Sequence, residues 1–179
     1  MQKTFQINEY IYLKESTIHG KGVFASKLIP SGTKIIDYIG ELISKEEGTK
    51  RKDECLNKHK NDFSKGGVYI FDIDEENDLD GDIESNYAKY INHSCDPNCE
   101  FDGEGKEIWV NAIKDIKPEE ELIVNYAFEF DEKDYLDHPC RCGSERCVGY
   151  ILDEDDWPKL KEHLEKKKEE TKNAENKRA

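Results

Sequence analysis

Tyr90-Ile91-Asn92-His93-Ser94-Cys95-Asp96-Pro97-Asn98 is the stretch on which the reading of this chain turns. Two apolar positions lead into consecutive polar and sulfur-bearing side chains, and Pro97 then stops any regular element. A segment that only filled a core would not be written this way. Asn, His, Ser and Cys side by side offer donors, acceptors, a titratable ring and a metal ligand. The plainer reading is a polar turn, in which Asp96-Pro97-Asn98 supplies the turn chemistry and His93 lies at the surface.

The cysteines further along the chain weigh against the plain reading. Cys140-x-Cys142, then four residues, then Cys147 places three soft ligands within eight positions, with Gly143 to bend the loop. Thiolates at that density in a reducing compartment favour tetrahedral zinc. The spacing differs from the common CxxC finger, and a fourth ligand is required. His138, Cys95, Cys99, Cys55 and His93 are all candidates on sequence alone. If Cys95 is the fourth, the metal clamps the opening stretch to the C-terminal loop and helps to build a site.

The bulk numbers bound the problem. The 179 residues suit one domain with a real core and short appendages. Hydrophobic content is only 35%, but nine Tyr, seven Phe and two Trp are enough to build a core. A net charge of −14 argues against direct nucleic-acid binding and favours a basic partner such as a Lys-rich peptide. Acidity that serves only solubility is the bland alternative. Met1-Gln2-Lys3-Thr4-Phe5-Gln6 has no apolar core of a secretory signal, and no apolar run approaches the roughly 20 residues needed to span a bilayer. The expectation is a soluble intracellular monomer without membrane contact, in cytoplasm or nucleus. Its six cysteines are then thiols or metal ligands rather than disulfides.

Along the chain, residues 1–9 read as a polar arm. Between 10 and 43, β-branched and aromatic runs alternate with His19-Gly20-Lys21-Gly22 and Pro30-Ser31-Gly32, which predicts strands joined by tight turns. Ser44 followed by Glu46 and Glu47 predicts a short exposed helix over 44–62, with Cys55 a half-buried thiol. Gly66-Gly67-Val68-Tyr69-Ile70-Phe71 turns into a strand. Asp72 to Glu84 holds eight acids and no base. A calcium loop counted from Asp72 fails, because its sixth position is Asn77 and its twelfth Ile83. A solvated acidic loop is the expectation. Phe101 to Gly105 reads as a turn, Ile108-Trp109-Val110 as a strand, and Glu121-Leu122-Ile123-Val124-Asn125-Tyr126 as a strand with its first acids exposed. From Asp153 the chain is almost wholly charged, and Leu160 and Leu164 at helical spacing predict a marginal helix that frays into disorder.

Four ordered features together resemble the SET-domain protein lysine methyltransferases that carry a post-SET zinc segment. They are Gly20-Lys21-Gly22-Val23-Phe24, Tyr90 to Asn98, Glu121 to Tyr126, and Cys140/Cys142/Cys147. Tyr38-Ile39-Gly40-Glu41 and Tyr69-Ile70-Phe71 agree in order and spacing, and the resemblance covers about residues 10–152. It implies a mostly β fold of several small curved sheets with short helices and a knot-like threading at the active site. The corresponding organisation is an arm over 1–9, a SET domain over 10–130, a post-SET zinc segment over 131–152 and a charged tail over 153–179. It also implies S-adenosylmethionine as methyl donor, held by Gly20, Lys21, Gly22, Asn92, His93 and Tyr126. Lys89 stands where the family usually has Arg beside the cofactor, Tyr150 resembles the residue that closes over it, and Cys95 becomes the fourth Zn2+ ligand with Cys140, Cys142 and Cys147.

The residues fit that chemistry on their own terms. Methyl transfer from a sulfonium to an amine is an in-line displacement in which the leaving thioether needs no acid, so catalysis is alignment and electrostatics. A lysine with a solution pKa of about 10.4 must be made neutral by desolvation and by the nearby sulfonium. Tyr69, Phe101, Tyr126 and Phe128 would line an aromatic channel, with the Tyr126 hydroxyl orienting the amine and Tyr69 and His93 completing the catalytic set. Core packing is the alternative for each aromatic, preferred for Phe71 and Trp109. Asn125 replaces the family's usual Asp, keeping size and hydrogen bonding. Phe101 and Val124 bring no hydroxyl to the channel, so two or three methyl groups are expected to fit. The substrate would be an accessible lysine in a basic, histone-like protein segment, drawn in by the acids of 72–84. The competing reading is a non-catalytic SET module that binds a peptide or protein partner. A zinc-stapled structural domain would leave the Asn-His pair idle.

Overall fold

The computed structural model describes residues 4–61 and 67–176. In chain order the strands and helices are β1 (Phe5–Gln6), β2 (Ile11–Glu15), β3 (Lys21–Ala25), β4 (Lys34–Tyr38), β5 (Glu41–Ser44), α1 (Lys45–Asn61), β6 (Ile70–Asp72), β7 (Asn77–Asp80), β8 (Asn92–His93), β9 (Cys99–Glu104), β10 (Glu107–Ala112), β11 (Ile123–Val124) and α2 (Trp157–Asn176). Small sheets dominate, as expected. The chain divides into two compact units, Met1–Asn92 with Pro97–Val124, and His93–Asp96 with Asn125–Ala179. The division passes through the Asn-His-Ser-Cys stretch itself.

In the first unit three antiparallel sheets have the orders β1-β2-β3, β4-β10-β9 and β5-β7-β6. Ile11, Leu13, Val23, Ala25, Ile35, Val110 and Ala112 are buried in the first two, Tyr12 and Phe24 are buried on the opposite side of β2 and β3, and the connections add Ile29, Ile116 and Leu122. Part of the presumed arm is a strand, because Phe5 pairs with Leu13 and Gln6 with Tyr12. The presumed turn at Phe101 lies inside β9, which pairs with β10 from Cys99↔Ala112 to Glu104↔Glu107. Phe101 completes a triad of edge-on rings with Tyr38 and Phe71, at centroid distances of 5.7 and 4.9 Å. Phe71 packs against these rings but stays half-buried. Trp109 does not reach the core but stays half-exposed under the Lys34 ammonium, 4.4 Å from its ring.

The acidic stretch is the main correction. It is no solvated loop: β7 runs through it, and Asp78 and Asp80 are buried at 1% and 7% exposure. Both face bases of α1. Lys45 Nζ lies 2.7 Å from Asp78, Lys52 Nζ 3.6 Å from the same carboxylate, and Arg51 reaches Asp80 at 2.6 Å and Glu41 at 2.8 Å. The helix starts where Ser44 Oγ accepts the Glu47 N–H, with Glu46 and Glu47 in the first turn beside the positive end of its dipole. It has almost no apolar stripe and docks through charge. Gly48 permits that approach, since a Cβ there would run into the Asp78 carboxylate. Cys55 is half-buried on this helix and its thiol is raised by burial.

In the second unit the charged C-terminal segment is ordered from its first residues. Asp153 accepts the Asp155 N–H and opens a 3-10 turn over Glu154–Asp156 that leads directly into α2. Asp156 then accepts the Phe130 N–H at 2.7 Å. Leu160 forms a buried cluster with Tyr135 and Leu152, and Phe130, Val148, Tyr150, Trp157 and Leu164 pack around it. The expected fraying helix is therefore anchored, with His163 edge-on to both Phe130 and Tyr135. Leu160→Ala is expected to cost about 2–4 kcal/mol by leaving a cavity against Tyr135 and Leu152. Urea denaturation followed through the tyrosine and tryptophan signals checks this, and a dangling tail would show no loss. Among the described residues no helix is long and apolar enough to cross a membrane.

Candidate functional site

In the first unit the chain gathers Gly20, Lys21, Gly22 and Asn92 around one polar frame. Asn92 is 7% exposed, and its Nδ2 donates to Lys21 O at 3.1 Å, His19 O at 3.3 Å and Glu121 Oε1 at 2.7 Å. All three partners are acceptors, which fixes the amide orientation. The second Glu121 oxygen accepts the Ser16 hydroxyl at 2.8 Å. Asn98 holds the backbone beneath, donating to Glu121 O at 2.8 Å and accepting from Ile123 N at 2.9 Å. Glu121 is thus half-buried and engaged, not an exposed strand acid, and Asn98 is more than a turn residue. Two primary amides near one strand need acceptors, and that need was the available signal for Glu121.

Tyr69 and Lys89 meet in the same unit, and Lys21 and Lys89 both lie over the Tyr90 ring. Lys89 is nearly enclosed and pairs with Asp82 at 3.0 Å, with its ammonium 5.8 Å from the Tyr69 ring and 5.6 Å from the Tyr90 ring. Tyr69 is raised by burial and by the Asp82 charge. Its carbonyl accepts the Tyr38 hydroxyl at 2.7 Å. Val124 is fully buried, and Phe101 sits in the ring triad with Tyr38 and Phe71.

The second unit brings His93, Cys95, Tyr126 and Phe128 together. His93 is 4% exposed and burial lowers its pKa to about 4, so the ring is neutral at physiological pH. Its Nδ1 accepts the Tyr126 backbone N–H at 3.1 Å, which places the ring proton on Nε2, 3.7 Å from Cys95 Sγ. Both ring nitrogens are therefore committed. The Tyr126 ring lies 5.3 Å from His93 and 6.0 Å from Phe128, which itself stands edge-on to His138. Asn125 Oδ1 accepts the N–H of Ala127, whose φ of 51° lies in the left-handed region. A carboxylate at this position could accept the same bond. The Tyr150 ring is turned into the cluster, 4.9 Å from Tyr135.

Cys95, Cys140, Cys142 and Cys147 form one group, with all four sulfurs within 4.8 Å of one another. Cys95 and Cys140 are 3.8 Å apart. Zn–S bonds of about 2.3 Å in a tetrahedron give sulfur separations of roughly 3.8 Å, so the donor set fits that metal. Burial raises the Cys95 thiol to about 11 and pushes Cys140 up as well. At Cys142 burial is outweighed by hydrogen bonds from Ser144, and the thiol is lowered to about 6. Of the other candidate ligands, Cys99 and Cys55 are not in this group, Cys99 being buried and raised to about 12 by desolvation and Cys55 belonging to α1, whereas His93 touches it through Cys95 without being one of the four donors.

A family model described as the SET domain matches residues 20–127, more than half of the chain. Histone-lysine N-methyltransferase trithorax of Drosophila virilis is 36% identical over 149 residues, which is 80% of this chain and 4% of that protein. A histone-lysine N-methyltransferase, H3 lysine-4 specific, of Aspergillus oryzae is 36% identical over 143 residues, 76% of this chain and 11% of that protein. Histone-lysine N-methyltransferase 2D of Homo sapiens is 37% identical over 142 residues, 76% of this chain and 2% of that protein. The chain thus spans a small fraction of the length of these relatives. With the family model matched from the Gly20 turn to Ala127, the chain belongs to the SET domain family.

Proposed function

We propose that the chain is an S-adenosylmethionine-dependent protein-lysine N-methyltransferase acting on a lysine in a basic protein segment. The observation that carries this reading is the Tyr126 backbone N–H held by a neutral, buried His93 whose other nitrogen faces Cys95 of the four-sulfur group. Such a chain of contacts fixes one tyrosine through a charge-neutral ring, as alignment catalysis requires. When bound, the methyl donor supplies an electrophilic sulfonium methyl group. In the first unit, Gly20, Lys21, Gly22, Lys89 and Asn92 are assigned to donor binding. Tyr69, Phe101 and Val124 there belong to the lysine channel. In the second unit, Tyr126 orients the amine, Phe128 excludes water, His93 positions Tyr126 as a neutral ring that transfers no proton, and Tyr150 contributes through the cluster it packs in.

Cys95, Cys140, Cys142 and Cys147 are assigned to Zn2+, in a segment over 131–152 of post-SET character. Four protein ligands leave no open position, so the ion is structural. The names of the relatives specify histone lysine, and in one case H3 lysine-4, which makes a histone tail the first substrate to test. Paired carboxylates at Asp78 and Asp80 leave attraction of that tail to the remaining acids and to the net charge of −14. The test is transfer of a labelled methyl group into histone and mixed-proteome substrates, read by mass spectrometry. The expected product carries two or three methyl groups, because Phe101 and Val124 place no hydroxyl in the channel. Strictly monomethylated lysine would overturn that specificity, and no transfer at all would leave the binding-module reading.

A further inference from the structure

We infer that Glu121 is a positioning residue for methyl-donor binding, acting through Asn92 and through the backbone at Gly22; the inference rests on the proposed assignment of Asn92 and the Gly20–Gly22 turn to the donor. Three observations converge on it. Glu121 makes the shortest of the three hydrogen bonds from Asn92 Nδ2, at 2.7 Å against 3.1 and 3.3 Å to the carbonyls. Its other oxygen is fixed by the Ser16 hydroxyl, and Ser16 Oγ in turn accepts the Ile18 N–H at 3.0 Å. A Cβ on Gly22 would meet Glu121 Oε1, so a side chain at residue 22 would push the carboxylate out of its place. The carboxylate therefore sits on the seam between the Gly20–Gly22 turn and Asn92, and it is tied to both.

The chemistry of the arrangement gives the carboxylate a definite task. With Nδ2 directed at three acceptors, Asn92 presents Oδ1 as a hydrogen-bond acceptor, and among the described residues nothing donates to it. An amide turned the other way would set its oxygen against a carboxylate and two carbonyls. Glu121 thereby selects the face that Asn92 offers to a donor group of a bound ligand. Charge-assisted bonds of this kind are about twice as strong as neutral ones. The support is rigid as well, because Asn98 fixes the backbone of residue 121 and the isolated bridge Phe24↔Glu121 ties it beside β3.

The test uses S-adenosylhomocysteine binding by calorimetry and the side-chain amide signal of Asn92 by NMR. Glu121→Ala is expected to weaken binding by about 10- to 100-fold, the weight of a hydrogen bond to a charged group. Glu121→Gln is expected to stay within about threefold of wild type, since its oxygen can accept from Asn92 while its amide donates to Ser16. Gly22→Ala should also weaken binding by displacing the carboxylate. Added to Glu121→Ala it should cause little further loss, the non-additivity of residues acting through one contact. The Asn92 amide signal should shift in Glu121→Ala with the rest of the spectrum retained. Losses that simply multiply, a Gln variant as weak as the Ala variant, or an unmoved Asn92 amide would each overturn the inference. If wild type itself binds no S-adenosylhomocysteine, the donor assignment fails, while the amide signal still decides whether Glu121 holds Asn92.

Discussion

Stripping the cysteine group of its metal with a strong chelator is expected to abolish methyl transfer and to lower the melting temperature of the second unit by tens of degrees. Structural zinc contributes about 10–16 kcal/mol to comparable small sites near neutral pH, more than a unit of this size has in reserve. The loss should reach the chemistry directly. Cys95 lies two residues from His93 on the short segment His93–Asp96, which the second unit holds. Releasing its sulfur frees the ring that keeps the Tyr126 N–H in place. Cys147→Ser should behave like partial chelation, because Cys147 sits on the loop and touches neither His93 nor Tyr126 among the contacts described. Metal content by atomic absorption, melting by calorimetry and turnover measured on one preparation check the chain of events. Full activity in a metal-free sample would sink it.

Tyr126→Phe is expected to cut turnover by about 100-fold or more, in line with removal of one preorganised dipole at a reacting centre. The substitution keeps the ring against His93 and Phe128, and the backbone N–H that His93 holds is untouched. Binding of S-adenosylhomocysteine and the melting temperature should therefore change little, so the loss falls on kcat. Single-turnover transfer to a histone peptide separates this from a binding defect. Equal rates for the two proteins would remove Tyr126 from the reaction, and a large fall in stability would mark it as a packing residue.

Much of the fold is legible in the sequence because its signals are local. Gly and Pro bound most of the strands, Ser44 with Glu46 and Glu47 marks the start of α1, and the cysteines of 140–147 declare a soft ligand set within eight residues. Pairings across long separations are not legible in this way. Asp78 meets Lys45 across 33 positions and Asp80 meets Arg51 across 29, so a run of acids that looks solvated has two of its eight members buried. Glu121 is hidden for the same reason: its partners Ser16 and Asn92 are 105 and 29 residues away. Leu160 reads as part of a weak helix because two leucines cannot announce that Tyr135 and Leu152 wait to cover them. Local pattern names the element; it does not say which charge or ring lies opposite.

The docking of α1 through Lys45, Arg51 and Lys52 onto Asp78 and Asp80 sets the thermodynamic character of that helix. Detaching it would uncover little hydrocarbon, so its opening carries a small heat-capacity change and a weak response to urea. Its attachment is coulombic, and with the carboxylates buried and the bases only partly open to solvent, salt screens it less than it would a surface pair. The β5–α1–β7 region is thus held by ion pairs where β2, β3 and β10 are held by apolar packing, two kinds of cohesion within one unit.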